Sequence, residues 1–293
     1  MLLNGIQDKI DLNQFGCMKG VSTVDALISI MLGPVFFIIF INDLKVHLPI
    51  VKYMDDTTVS EKISSKEPST FKNVSEEICS WSTSNRMKIN EKKTKEMLIS
   101  CKHVKSQPPM IQINGVNIGN VSQSKLLGFA IQDDLGWESH IQSIVSKCNT
   151  RIYFLKQLRR CGLNTLTLRH YYCSVIRSVP EYACPLWFTG TTLKQQQIIE
   201  TIQKRAIKCI LPGMSYENAL LLLGLSPLKD RLLYLSKIYF EKIKKSEHRL
   251  NHLLTPTLDH NYRLRNIRQF ALPKIKCERT KKFIINYCIF HQW

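Results

Sequence analysis

Apolar and polar positions follow one rhythm before Trp137 and another after it. Upstream they alternate or run in short blocks. Ile50-Val51-Lys52-Tyr53 and Thr57-Thr58-Val59 are β-branched runs on either side of Asp55-Asp56, which predicts a hairpin with both carboxylates at its tip and their neighbours buried. Phe71, Val74, Ile78 and Trp81 recur at helical spacing and predict an amphipathic helix covering that sheet. Glu96 to Ser100 reads as a strand, and Ile111 to Ile118 as a hairpin turning at Asn114-Gly115. Lys125 to Ile131 reads as a strand that contains Gly128.

Beyond Trp137 the period becomes 3.6. Ile141, Ile144, Val145, Cys148, Ile152 and Leu155 form one apolar helix face, with Lys147, Arg151, Lys156, Arg159 and Arg160 along the other sides. A second helix turns Ile198, Ile202, Ala206, Cys209 and Ile210 inward and Lys204, Arg205 and Lys208 outward, until Leu211-Pro212-Gly213 stops it. Val179-Pro180 and Pro185-Leu186-Trp187 mark a junction between the two. Tyr216 to Leu225 and Leu228 to Lys245 add further helices, and the remainder is basic and weakly periodic. The pattern therefore predicts an α+β chain whose second half is all helical.

Charge sharpens that division. The net charge is +18, yet residues 1–146 carry 15 Lys/Arg and 15 Asp/Glu, whereas residues 147–293 carry 26 and 8. A basic helical half beside a neutral one is either a set of solvated helices or the footprint of a polyanionic partner, most simply nucleic acid. Lys147, Arg151, Lys204, Arg205 and Lys208 are the residues expected to meet phosphates. The ten cysteines show no CxxC and no zinc-ligand spacing with histidine, so they read as reduced, buried thiols of an intracellular chain. No secretory signal is expected, because the first residues turn polar at once. The most apolar run, Leu27 to Ile41, is short and broken by Gly33-Pro34, which argues against a membrane span.

The adjacent carboxylates are the candidate chemistry. At a tight turn two acidic groups repel each other unless a cation sits between them. They are either solvated or part of a metal site, in which two Mg²⁺ ions would align an attacking hydroxyl and a triphosphate. Lys92, Lys93 and Lys95 are equally open to two readings, as a solvated turn or as cations near a triphosphate.

Tyr53-Met54-Asp55-Asp56 resembles the catalytic hairpin of reverse transcriptases. Leu32-Gly33-Pro34-Val35-Phe36-Phe37 with Ile41-Asn42-Asp43-Leu44 resembles the segment leading into that hairpin. Asn85-Arg86-Met87-Lys88-Ile89-Asn90 with Lys93-Thr94-Lys95, and Lys125-Leu126-Leu127-Gly128, look like the two motifs that follow it. In order and spacing these are similar to non-LTR retrotransposon (LINE-type, jockey-like) reverse transcriptases. The resemblance implies a fingers remnant over residues 1–32, a partial right-hand polymerase palm over 33–131, and a basic helical thumb and C-terminal region over 132–293. It implies RNA-directed DNA polymerase ancestry, an RNA or DNA template-primer as partner, and Mg²⁺ held by Asp55 with Asp56 beside it.

One departure bears on activity. Ala26-Leu27-Ile28-Ser29-Ile30-Met31 runs straight into Leu32-Gly33-Pro34, where the family would supply a second catalytic Asp on its own strand and a Gly-containing template motif. Two metals about 3.5–4 Å apart need carboxylates from two elements. The expectation is a catalytically inactive polymerase fragment with weak or no Mg²⁺ binding. The alternatives are a nucleic-acid-binding module using the helical half alone, and a non-functional relic.

Overall fold

The structure is a computed structural model that describes residues 37–63, 69–100, 110–258, 268–275 and 278–293. The expected fingers remnant and the junction between Ala26 and Leu32 lie outside these residues. The fold is mixed α+β, dominated by helices, with small two-stranded antiparallel sheets among the described residues. Two compact units form, one comprising the described residues through Leu98 and residues 110–121, the other Ile99 and Ser100 together with Ser122 to Trp293.

The first unit holds two hairpins and a helix. β1 (Ile50–Tyr53) pairs with β2 (Asp56–Val59), and β3 (Gln112–Ile113) with β4 (Val116–Asn117). The β3–β4 turn is the expected Asn-Gly one. Asn114 and Gly115 both take positive φ, 52° and 77°, the geometry that matches the twist of a two-residue hairpin. α1 (Phe71–Ser84) packs its apolar side against this hairpin: Ile111, Ile113 and Ile118 are buried, with Phe71, Cys79 and Ile89 against them. The helix expected over the Asp-Asp hairpin thus has its apolar partner in β3–β4. The strand expected at Glu96 to Ser100 reduces to one bridge from Glu96 to Asn120. No longer ladder forms there because no described strand lies alongside.

The second unit opens with a hairpin where the sequence pattern suggests one strand. β5 (Gln123–Leu126) and β6 (Phe129–Gln132) flank a turn at Leu127-Gly128, both left-handed with φ of 47° and 89°. Gly128 tolerates that conformation, and the Tyr182 hydroxyl donates to the Leu127 carbonyl at 3.0 Å. Phe129 enters the main core.

Helices follow: α2 (Glu138–Arg160), α3 (Thr165–Tyr171), α4 (Ser178–Glu181), α5 (Cys184–Trp187), α6 (Leu193–Ile210), α7 (Tyr216–Leu223) and α8 (Leu228–Ile243). Near the end come α9 (Glu278–Lys281) and α10 (Ile284–His291). The buried side of α2 is the predicted one (Ile141, Ile144, Cys148, Ile152 and Leu155), joined by His140. On α6 Ile202, Ala206, Cys209 and Ile210 are buried as expected, joined by Gln203 and Ile207, and only at the first turn is the inward residue Ile199 rather than Ile198, which lies toward the surface. A capping box holds the α6 start, with Thr192 Oγ1 accepting from the Gln195 N–H and the Gln195 side chain accepting from the Thr192 N–H.

α6 is also fixed from within. Tyr172 Oη donates to Gln203 Oε1 at 2.7 Å, and Gln203 Nε2 donates to the Ser226 carbonyl at 2.8 Å. The Glu200 carboxylate accepts from the N–H groups of Leu228 and Lys229 at the N-terminus of α8, where a negative charge meets the helix dipole.

Candidate functional site

The expected hairpin forms, with Tyr53 opposite Asp56 and the loop made by Met54 and Asp55, so only the first of the two carboxylates lies in the turn itself. Asp55 is in the loop and Asp56 opens β2; both are exposed. Met54 takes φ of 53°, a left-handed position that costs a side-chain-bearing residue about 1 kcal/mol. The neighbours are not buried as expected: Val51 is 68% exposed and Tyr53 61%. The reason is that β1 and β2 form a sheet of their own, with Ile50, Lys52 and Val59 half-buried on one face and the Val51 and Tyr53 face left open.

The hairpin is tied to the chain before it through Lys52. Its ammonium donates to the Ile41 carbonyl at 2.7 Å, to the Asn42 carbonyl at 3.3 Å and to the Leu44 carbonyl at 2.5 Å. Residues 37–41 are helical, so Lys52 satisfies carbonyls left over where that helix stops. Desolvation lowers the Lys52 pKa, opposed by the nearby Asp43 carboxylate. Asp43 Oδ1 accepts from Trp81 Nε1 at 3.1 Å, giving the Ile41-Asn42-Asp43-Leu44 segment a structural task.

As a metal cage the site does not fit. Among the described residues no group of three or more His, Cys, Asp or Glu side chains comes together to hold an ion. Asp55 and Asp56 lie exposed at one end of the hairpin, with no third ligand beside them among the described residues. Lys92, Lys93 and Lys95 lie exposed at and just after a turn, whose Lys93 N–H donates to Asn90 Oδ1 at 3.1 Å.

The helical unit makes a different kind of site. α2 and α6 pack side by side, and the furrow between them has two stretches. One is lined by the apolar Ile141, Val145 and Ile198 together with Gln142, Ser146, Asn149 and Thr150, and carries one carboxylate, Glu138. The other, a cleft of about 710 Å³, is lined by Lys156, Arg159, Arg160, Arg205 and Lys208 above Ile152 and Cys209. Two cations are held in place by neutral groups: Arg159 Nη1 donates to the Cys209 carbonyl at 2.9 Å, and Arg205 Nη1 donates to Asn149 Oδ1 at 2.6 Å. Among the described residues no acidic side chain lines the cleft, so its five cations reinforce one another's field.

The expected nucleic-acid residues are therefore divided. Arg205 and Lys208 share the cleft. Lys204, one residue away, lies on the other flank of α6 with its ammonium 5.3 Å from the Tyr216 ring centroid. Lys147 is exposed outside the cleft, and the Arg151 guanidinium donates to the Val175 carbonyl. Lys156, Arg159 and Arg160 join Arg205 and Lys208. The signal for this was present in the basic run closing α2, but its convergence with α6 needs the register between two helices far apart in sequence.

Cys209 floors the cleft, while three other thiols lie in the cores. Cys148, Cys184 and Cys288 are buried and free, and burial pushes each up to about 12. Among the described residues no helix is long and apolar enough to cross a membrane. No family model, no curated protein and no solved structure matches this chain.

Proposed function

We propose that the chain is a non-catalytic nucleic-acid-binding protein of retrotransposon reverse-transcriptase descent, gripping the phosphate backbone in the α2–α6 cleft. The partial palm and helical thumb of that plan are part of the same reading. The observation that carries it is the convergence of Lys156, Arg159, Arg160, Arg205 and Lys208 on one cleft, with no acidic side chain lining it among the described residues. Scattered solvated lysines would leave the field diffuse; five cations in one furrow concentrate it where a polyanion can displace counterions. Loss of catalysis follows from the sequence around Ala26 to Pro34, which carries no second Asp-bearing strand.

The test is salt dependence. Each phosphate contact adds about 0.9 to the slope of log affinity against log salt on duplex DNA and about 0.7 on a single strand. Changing Lys156, Arg205 and Lys208 together to Ala lowers that slope by roughly two to three units and weakens all sequences alike. A variant whose slope equals the parent's removes the cleft from the account. The same preparation, given a primed RNA template, deoxynucleotides and Mg²⁺ or Mn²⁺, extends no primer; extension abolished by Asp55→Asn would overturn the non-catalytic reading.

A further inference from the structure

Tyr153 and Phe154 are adjacent aromatic residues on the solvent side of α2, 57% and 52% exposed. Their rings meet edge to face at 5.7 Å. Tyr153 lies three residues before Lys156 and seven before Arg160, which puts it on the flank of the helix that carries the cationic lip of the cleft. An exposed apolar residue by itself needs no explanation. A pair of rings supporting each other beside five clustered cations is a different object, because a flat exposed ring next to a phosphate-binding groove is what a base needs.

We propose that the ligand of the α2–α6 furrow is single-stranded nucleic acid, its phosphates held by the cationic cleft and a base stacked on Tyr153. This rests on the backbone-binding reading above and names the form of polyanion. Width is the first reason. Packed helix axes lie about 8–10 Å apart, so the furrow between them takes one extended backbone but not a duplex. Accessibility of the bases is the second. Within a duplex each base is covered by its neighbours, and Tyr153 has nothing to stack on; a single strand offers a free π-face at every residue. The stretch at Gln142, Ser146, Asn149 and Thr150 continues the furrow and offers hydrogen-bonding groups to bases or sugars, its one charged group being the Glu138 carboxylate at the start of α2. The edge-on contact with Phe154 restrains the Tyr153 ring, lowering the entropy lost when a base settles on it.

The experiment is a fluorescence-anisotropy titration of the full chain with labelled strands of roughly 20 nucleotides, long enough to fill such a groove. Three probes are used: single-stranded DNA, RNA of the same sequence, and the DNA annealed to its complement. The single strands bind about tenfold or more tighter than the duplex. Tyr153→Ala weakens the single strands by about fivefold to a hundredfold and leaves the salt slope unchanged, since no cation is lost. Tyr153→Leu, which keeps the bulk and the helix propensity, shows the same loss, and Tyr153→Phe restores binding. DNA and RNA losing affinity alike means stacking on the base; a loss confined to RNA means the hydroxyl of Tyr153 reads the ribose, and overturns the stacking role. Duplex binding as tight as single strand, with Tyr153→Ala and Tyr153→Leu unchanged from the parent, overturns the inference while leaving the backbone reading intact. Failure of all three probes to bind at low salt sinks the backbone reading itself.

Discussion

In the unit that ends at Val121 the buried apolar cluster is Ile111, Ile113 and Ile118, with three partly buried side chains against it. In the unit that starts at Ser122 one cluster runs from Phe129 through Cys148, Trp187 and Ile207 to Leu232. Both units hold charged side chains at their surface, His47 against Glu77 at 2.7 Å in the first, but among the described residues the second gathers cations from two helices into one cleft. Asp55 and Asp56 ride on a hairpin with one face open, anchored through Lys52, while Arg159 and Arg205 are each tied to the helix across the furrow. Chemistry that depends on relative placement of charges therefore belongs to the helical unit.

The largest expected effect breaks that frame. Trp187 is fully buried, its ring packed edge-on against His140 and Phe188 at centroid distances of 5.4 and 5.7 Å. Trp187→Ala is expected to destabilise the helical unit by about 3–5 kcal/mol. Ile113→Ala removes a side chain from the shallow first core and is expected to cost about 2 kcal/mol, at the low end for a buried aliphatic truncation. Denaturant unfolding of each variant checks both; equal losses would mean the first unit is better packed than its cluster indicates.

A pH titration sharpens the same contrast. His140 is buried among Phe129, Trp137 and Trp187 with no partner for Nε2, and burial, helped by Lys147, lowers its pKa from 6.5 to about 4. Above pH 6.5 the ring is neutral whether the chain is folded or not, and it has no effect on stability. As pH falls from 6.5 toward 4 the unfolded chain takes up the proton first, so stability drops, by up to about 3 kcal/mol, and the drop levels off below 4. In His140→Phe this part of the acid sensitivity disappears. An unchanged profile in that variant would place the titrating group elsewhere.

How much of this is legible in the sequence depends on how local the cause is. The Asn114-Gly115 turn, the buried side of α2 and the glycine that ends α7 follow from residues within a few positions of one another. Leu127-Gly128 hides a hairpin because a leucine in left-handed conformation gives no turn signal of its own. Ile198 and Ile199 are indistinguishable by period; the partner helices select Ile199. Lys204, Arg205 and Lys208 all read as outward, and only the position of α2 puts the last two in one cleft and sends Lys204 toward Tyr216. Tyr153 and Phe154 carry a readable signal, two aromatics on a polar helix face, which a search for core periodicity passes over.

That division of α6 gives the most direct test of the central claim, that the cleft rather than the excess charge binds nucleic acid. Lys204→Ala and Lys208→Ala each remove one positive charge from an exposed site on the same helix. Affinity for a labelled strand is measured for both variants across a salt series. A cleft-centred grip predicts that Lys208→Ala lowers the slope by about 0.7–0.9 while Lys204→Ala leaves it near the parent's value. Equal loss in the two variants would show that net charge alone attracts the polyanion, and would contradict the account.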